Sequence, residues 1–384
     1  MNNTCAPTNS KNSYTCFTNE SLVEIANAYN KENPNNKINI PKLFTSRNRH
    51  NLWLNIKKAM KKYTPCDEDF CLLETNIIKK NADVKDLQED FKPEKPIEWY
   101  KNNRTWLSNI DIDEVMSQYE KDSDFEFIGP VPIDFDYKTN NLFGSCIVNE
   151  LCNLNIEDLI NRGKTKLGVI FNLDPHYMSG SHWTALFSDF NKGGVYYFDS
   201  YGTQPGEEVI KLMQRINTQG NDLIRNKKID INKMDNEHSL IRKYSLYDEQ
   251  PDILVINDKY TDLQINCPVY IMDNPNEFNV DSNKFNCIAN KNKYVLKTMF
   301  PIDKDTPKEG TVLCKGFQCF YNDHRFQFKN SECGVYSMHF IIEFLNGKKF
   351  QDIIDNVIDD DSINKKRDIF YRDNIIKKIK KSEI

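Results

Sequence analysis

The chain has 384 residues, of which 39 % are hydrophobic, and its 23 Phe and 18 Tyr supply the bulk that a folded core requires. This length and composition exclude a small disulfide-stapled module and a chain that is disordered throughout. Lys and Arg number 51 against 56 Asp and Glu, and the resulting net charge of −5 disfavours a dedicated nucleic-acid-binding protein. No run approaches the roughly 20 apolar residues that a membrane span needs, and the first residues lack the apolar core of a secretory signal.

The cysteines indicate a reducing environment. Their number, 11, is odd and their spacing is irregular, so we expect no complete disulfide framework and a protein that is not secreted. Two pairs are separated by four residues, Cys66 with Cys71 and Cys314 with Cys319. Neither pair has a second pair at zinc-finger spacing, so no metal site is expected. Three other cysteines are interpreted as small buried apolar side chains: Cys152, Cys267 and Cys287.

Composition divides the chain into an arm and two domains. Residues 1–18 are polar and aperiodic, which predicts a flexible arm. Residues 19–95 carry apolar residues at helical spacing and predict a helical N-terminal domain. That domain ends at a linker with two prolines, and residues 96–384 form a second domain. Within it, residues 217–312 are polar and are interpreted as an insertion.

The second domain begins with strand patterns and ends with helices. Residues 167–173, 183–190 and 195–201 are rich in β-branched and aromatic residues, and a Gly-Gly turn separates the last two runs. We therefore expect a central, mainly antiparallel sheet. Residues 333–345 are mostly apolar and predict a buried helix. Together these patterns predict an α+β fold with helices flanking the sheet.

Three short segments place catalytic residue types at the boundaries of predicted elements. They are GSHW at residues 180–183, FDSYG at 198–202 and QFKNSECGVY at 327–336. Because the start of one hairpin strand lies beside the end of its partner, His182 and Asp199 can face each other. Cys333 opens a helix, where free backbone N–H groups favour a thiolate.

These residue types suit acyl transfer by a cysteine nucleophile. An imidazole takes the thiol proton and returns it to the leaving amine, while a carboxylate fixes the imidazole tautomer. The oxyanion that develops needs hydrogen-bond donors, which the Gln327 side chain and the Cys333 backbone N–H could supply. The interpretation has three histidine rivals: His324, which is close to Gln327 in sequence, and His176 and His339, for which we expect structural roles.

The three segments resemble the SUMO and ubiquitin-like-protein processing cysteine proteases and their adenovirus-type and large-DNA-virus relatives. That family runs in the order His, Asp, Gln, Cys, with the intervals of 17 residues from His182 to Asp199 and six from Gln327 to Cys333 that occur here. The resemblance implies that His182 is the base, Asp199 its orienter, Gln327 the oxyanion donor and Cys333 the nucleophile. It also implies that residues 96–384 are the catalytic domain.

The resemblance further implies substrates and contacts. It assigns Trp183, and Trp106 in the segment WLSNIDI, to substrate binding, requires no cofactor, and points to protein substrates, with nucleic acid disfavoured except as a possible activator. The helical N-terminal arm and the composition rich in Asn and Lys resemble most the maturation proteases of giant DNA viruses. This resemblance implies cleavage of structural precursors at Gly-containing sites, in the virion or host cytoplasm. Two alternatives stay open: an isopeptidase acting on ubiquitin-like modifiers, and a catalytically silent module that binds Gly-Gly tails.

Overall fold

A computed structural model describes residues 5, 14–64, 66–120, 123–138, 145–230, 233–234 and 316–374, together with the backbone of six strands between residues 240 and 314. The chain forms two compact units, one of residues 1–123 and 361–384, the other of residues 124–360. The predicted domain boundary near residue 95 stays a prediction, and most of the predicted arm lies outside the described residues. Within the described part, no helix is long and apolar enough to cross a membrane.

Five of the described α-helices precede the first described strand, the last seven described strands follow one another along the chain, and four more helices come after them. The helices are α1 (Asn19–Glu32), α2 (Ser46–Met60), α3 (Asn76–Asn81), α4 (Val84–Gln88), α5 (Asn109–Glu120), α6 (Asn149–Cys152), α7 (Ile156–Asn161), α8 (Glu207–Arg225), α9 (Cys333–Leu345), α10 (Phe350–Asp355), α11 (Asp360–Asn364) and α12 (Arg367–Phe370). The strands are β1 (Phe125–Pro132), β2 (Lys166–Asn172), β3 (Trp183–Asp189), β4 (Gly194–Phe198), β5 (Leu240–Leu246), β6 (Ile253–Ile256), β7 (Ile265–Ile271), β8 (Asn283–Asn290), β9 (Lys293–Thr298), β10 (Glu309–Cys314) and β11 (Gln318–Tyr321). Two 3₁₀ segments, Asp69–Glu74 and Ile97–Tyr100, lie in the first unit.

The described part of the first unit consists mainly of helices. The side chains of Thr18 and Thr45 accept hydrogen bonds from backbone N–H groups in the first turns of α1 and α2, so both helices have N-caps. The buried face of α1 packs with residues from α2 and from the 3₁₀ segment at Asp69–Glu74 to form one apolar core. This core belongs to the first unit alone, because all its members lie between residues 17 and 91.

The second unit is built on one mixed sheet. The eleven described strands follow the order β1-β2-β3-β4-β11-β7-β10-β5-β6-β9-β8, and β7 also pairs with β8. The pairs β1–β2 and β4–β11 are parallel, and the other described pairs are antiparallel. The predicted hairpin is present as β3–β4, in which Ala185 lies opposite Phe198. The α+β class with a mainly antiparallel sheet flanked by helices is therefore confirmed.

Helices cover both faces of the sheet because side chains alternate along each strand. On one face Phe198 stacks on Phe340 of α9, with ring centroids 4.8 Å apart, and Phe187 stacks on Phe344 at 4.5 Å. On the other face the intervening residues of β3 and β4 join a buried apolar cluster with α8. The helix that carries Cys333 is thus fixed against the strands that carry His182 and Asp199.

Helix α8 is longer than its sequence predicts. The apolar pattern after Gly206 predicts a helix that ends near Ile216, but the helix continues to Arg225, and Leu223 and Ile224 are buried about two turns farther on. A β-carbon on Gly220 would lie 2.4 Å from the Phe317 ring, so glycine lets the helix pass this side chain closely. The region interpreted as a weakly patterned insertion also contains strands β5 to β10. Strand pairing with distant segments stabilises structure there that local periodicity does not indicate.

The cysteines differ from the prediction. Among the described residues, Cys5 pairs with Cys16, Cys66 with Cys71, and Cys146 with Cys152, whereas Cys319 and Cys333 are free. The interpretation of Cys152 as an unpaired apolar side chain is therefore wrong. Turns bring the partners' Cα atoms to between 5.3 and 6.2 Å, within reach of a disulfide. Cys267 and Cys287 have side chains outside the described residues.

Candidate active site

His182 and Asp199 meet at one end of the β3–β4 hairpin. His182 directly precedes β3 and Asp199 directly follows β4, so the antiparallel register brings their side chains together. The imidazole Nε2 lies 2.6 Å from Asp199 Oδ1. Only 8 % of His182 and 1 % of Asp199 is exposed, so this charged hydrogen bond is shielded from water.

Asn322, at the end of β11, holds the main chain at Asp199. Because β11 runs parallel to β4, their ends lie at the same edge of the sheet. The Asn322 side chain accepts a hydrogen bond from the Asp199 backbone N–H at 2.9 Å and donates to the Asp199 carbonyl at 2.7 Å. The backbone N–H of Tyr201 donates to Asp199 Oδ1 at 2.9 Å. The Asp199 carboxylate is therefore held in place by hydrogen bonds to its own oxygen and by hydrogen bonds between Asn322 and the Asp199 backbone.

Cys333 is the first residue of α9 and faces the same imidazole. Its exposed fraction is 3 %, and it is close enough to His182 to affect the pKa of the imidazole. Since Nε2 is engaged by Asp199, Nδ1 is the ring nitrogen left for the thiol. Burial lowers the pKa of His182, but hydrogen bonds to Asp199 and Cys333 and their negative charges outweigh it and raise that pKa to about 9. The imidazole is consequently protonated at neutral pH beside the sulfur.

The Gln327 carboxamide is fixed at both ends. Its Nε2 donates to the Lys329 carbonyl at 2.5 Å, which defines the amide orientation because a carbonyl can only accept. Its Oε1 accepts from the Ser200 hydroxyl at 2.7 Å. No bond among the described residues uses its second Nε2 hydrogen, although Gln327 is fully buried. The carboxamide therefore retains one oriented N–H, and its Oε1 is held by Ser200, the residue after Asp199.

Asp360 and Glu332 hold the loop that joins Gln327 to Cys333. One Asp360 oxygen accepts hydrogen bonds from the backbone N–H groups of Phe328 and Lys329 at 2.9 and 3.0 Å. Buried Glu332, immediately before the helix, accepts from the Ser331 N–H at 3.1 Å and from the Ser331 hydroxyl at 2.8 Å. These carboxylates keep the loop in one conformation through backbone bonds.

The other residues that the sequence offers as candidates for the site lie in different parts of the structure. Trp183 is buried at the start of β3 beside His182, whereas Trp106 lies in the first unit with 48 % of its surface exposed. The rival base His324 is exposed, and its Nδ1 lies 2.6 Å from the adjacent Asp323. His176 pairs with Asp134 at 2.6 Å on a loop, and His339 is buried within α9. None of these three histidines has a described hydrogen bond to Cys333.

Sequence reasoning missed the residues that hold the site. Ser200 follows Asp199 in the FDSYG segment, so its position was visible although its bond to Gln327 was not. Asn322 and Asp360 lie 123 and about 30 residues from their partners, and no local pattern marks them. Only the fold brings them to the site.

The raised pKa of His182 leads to a direct test. Because its folded value of about 9 exceeds the ordinary 6.5, protonated His182 stabilises the fold below about pH 6.5, and this contribution disappears as pH rises through 9. We expect the His182 ring signals in an NMR titration to change with a midpoint near pH 9. In the Cys333→Ala variant the midpoint should lie at a lower pH, because one of the interactions that raise the His182 pKa is lost. A midpoint at or below 6.5 in the unmodified protein would refute the described geometry.

Comparisons with known proteins agree on a family. A sequence model of the Vaccinia virus I7 processing peptidase family matches residues 24–246, more than half of the chain. A protein of Acanthamoeba polyphaga mimivirus, named as a thiol protease, is 26 % identical over 390 residues, covering 96 % of this chain and 93 % of that protein. A SUMO-1 cysteine protease of African swine fever virus is 28 % identical over 167 residues, or 40 % of this chain and 60 % of that protein.

Among solved structures, the crystal structure of the African swine fever virus protease covers 88 % of this chain and 94 % of that one, with 17 % identity and a TM-score of 0.48. The family match covers residues 24–123 of the first unit, the β3–β4 hairpin and α8, so it includes His182 and Asp199 and ends before Gln327 and Cys333. The relatives' names agree with the chemistry for which these residue types are suited. The chain therefore belongs to the Vaccinia virus I7 processing peptidase family, and it is a cysteine peptidase.

Proposed function

We propose that this peptidase cleaves viral structural precursor proteins at Gly-containing sites during virion maturation, with Cys333 as nucleophile, His182 as base, Asp199 as orienter and Gln327 as oxyanion donor. The observation that carries the assignment is the imidazole of His182, whose Nε2 lies 2.6 Å from Asp199 Oδ1 and whose pKa responds to the neighbouring Cys333. A cysteine that begins a buried helix next to an oriented imidazole is the arrangement that thiol attack requires.

The reaction is acyl transfer through a thioester. The Cys333 thiolate attacks the peptide carbonyl carbon, and the oxygen takes up the negative charge. The free N–H of Gln327 and the backbone N–H of Cys333, which has no acceptor within its own helix, donate to that oxygen. The C–N bond breaks as protonated His182 gives its proton to the leaving amine. His182 then takes a proton from water, which attacks the thioester and releases the acid and the thiol.

Burial of the site favours substrates that have small residues beside the scissile bond. With 3 % of Cys333 exposed, a bulky substrate side chain next to the attacked carbonyl would collide with the residues that cover the sulfur. Glycine avoids this collision and lets the substrate backbone approach closely. Trp183 lies directly after the catalytic imidazole, and Trp106 exposes an apolar ring. We assign both side chains to contacts with the substrate, as the family resemblance implies.

The family match favours precursor processing, since the family is described by a processing peptidase. One observation favours a second candidate: a relative from African swine fever virus bears the name SUMO-1 cysteine protease. Under that alternative the same residues would release ubiquitin-like modifiers from proteins. The chemistry would be identical and only the substrate would differ.

Matched substrates separate these two functions. We expect the purified protein to cleave a short Gly-Gly-containing peptide and to leave a folded SUMO fusion intact, as followed by mass spectrometry. Cys333→Ala should abolish cleavage, because the nucleophile is lost, whereas Cys319→Ala removes the other free described cysteine, which is fully buried, and should cleave normally. Cleavage of the fusion alone would favour the modifier protease, and an active Cys333→Ala would contradict the mechanism.

The Ser200–Gln327 bond generates a further prediction. Loss of an oxyanion donor typically lowers kcat on the order of a hundredfold or more, so Gln327→Ala should fall in that range. Ser200→Ala frees one end of the carboxamide, and we expect a roughly tenfold lower kcat with little change in KM. In the Gln327→Ala variant, the additional Ser200→Ala change should lower kcat hardly any further, because there is no carboxamide left to orient.

Ser188→Ala is the matched control for Ser200→Ala. Ser188 is equally buried on β3, but its hydroxyl donates to the Gly194 carbonyl at 2.9 Å, within the hairpin. It should keep a kcat close to that of the unmodified protein. A Ser200→Ala effect of the same size with and without Gln327 would show that the serine acts by another route.

A further inference from the structure

Arg325 is exposed at the edge of the site and yet is held in place. Its guanidinium carbon lies 5.1 Å from the centre of the Tyr201 ring and 5.0 Å from that of Phe328. Its Nε donates to the Gln327 carbonyl at 2.7 Å. The Tyr201 ring in turn stacks on His182, with centroids 4.5 Å apart and planes 15° apart. The cation is thus one aromatic ring removed from the catalytic imidazole.

The guanidinium keeps most of its binding capacity. Of its five N–H donors one is used, and no carboxylate among the described residues forms an ion pair with Arg325. Fixing an arginine side chain costs rotamer entropy, and the two rings and the backbone hydrogen bond offset this cost before any ligand arrives. The outer donors are therefore preorganised for a planar acceptor.

We propose that Arg325 forms a substrate subsite for an acidic side chain located near the scissile bond. A carboxylate is the planar anion that matches the two terminal nitrogens in a bidentate pair. Phe328, 69 % exposed, offers an apolar surface to the methylene groups of a glutamate that reaches this cation. The subsite rests on the proposed function, because it assumes that a peptide lies across Cys333 and Gln327.

The alternative is that positive charge attracts acidic substrates without a defined contact. Lys329 lies on the same loop and is exposed, so it would contribute to a diffuse potential as much as Arg325 does. A diffuse attraction would depend little on which substrate position carries the acid. A bidentate subsite favours one position and needs the guanidinium itself.

The test uses pairs of Gly-Gly-containing peptides that carry Glu or Gln at each of the positions flanking the cleavage site. For one position we expect kcat/KM to be about five- to tenfold higher with Glu, the range of a partly exposed charge-assisted pair. In the Arg325→Gln variant, the ratio of kcat/KM for the Glu peptide to that for the Gln peptide should fall to about one. In Arg325→Lys this ratio should take an intermediate value, because the ammonium keeps the charge but lacks the two terminal nitrogens of the guanidinium. Lys329→Gln should retain the full ratio.

The outcomes separate this proposal from the proposed function. If the Gln peptides are cleaved but no position favours Glu, the subsite is overturned while the peptidase mechanism stands. An equal loss of the ratio in Lys329→Gln would overturn the subsite in favour of a diffuse potential. Failure of Cys333-dependent cleavage for every peptide would overturn both.

Discussion

Burial of Asp199 is costly unless donors surround its carboxylate, and the organisation of the site follows from how that requirement is met. The imidazole of His182 and the N–H of Tyr201 both bond its Oδ1. The hairpin register places the first of these donors, and the local turn supplies the second. The imidazole is then fixed in orientation, with its other nitrogen available to the sulfur. A change that shifted β3 against β4 would break this arrangement before it affected Cys333 itself.

The same principle applies to the loop between Gln327 and Cys333. Its backbone N–H groups are bonded by Asp360, and Gln327 is bonded by Ser200 on the opposite side. Ser200 directly follows Asp199, so the residue that bonds the His182 imidazole and the residue that bonds the Gln327 carboxamide are neighbours in sequence. His182 and Gln327 are therefore both held by residues of one turn after β4.

The sequence predicts local features well and distant partnerships poorly. The β3–β4 hairpin and helix α9 follow from turn residues and apolar periodicity, which act over a few residues. The positions of His182 and Asp199 follow from that hairpin. By contrast, Asn322 and Asp360 reach the site through strand order and helix packing that no short pattern encodes. The extended α8 has the same origin, since Leu223 and Ile224 are buried in a core formed by the folded chain. The missed disulfide is different, because Cys146 and Cys152 are only six residues apart and a turn brings them together.

The most direct measurement of the central claim is the site at which a Gly-Gly vinyl sulfone reacts at neutral pH, mapped by peptide mass spectrometry. Burial raises the pKa of the Cys319 thiol, so that cysteine should be inert, and Cys333 beside protonated His182 should carry the adduct. Labelling should decline strongly in His182→Ala. An unlabelled Cys333 in the folded, unmodified protein, or labelling that is unchanged without His182, would contradict the pairing of this sulfur with this imidazole.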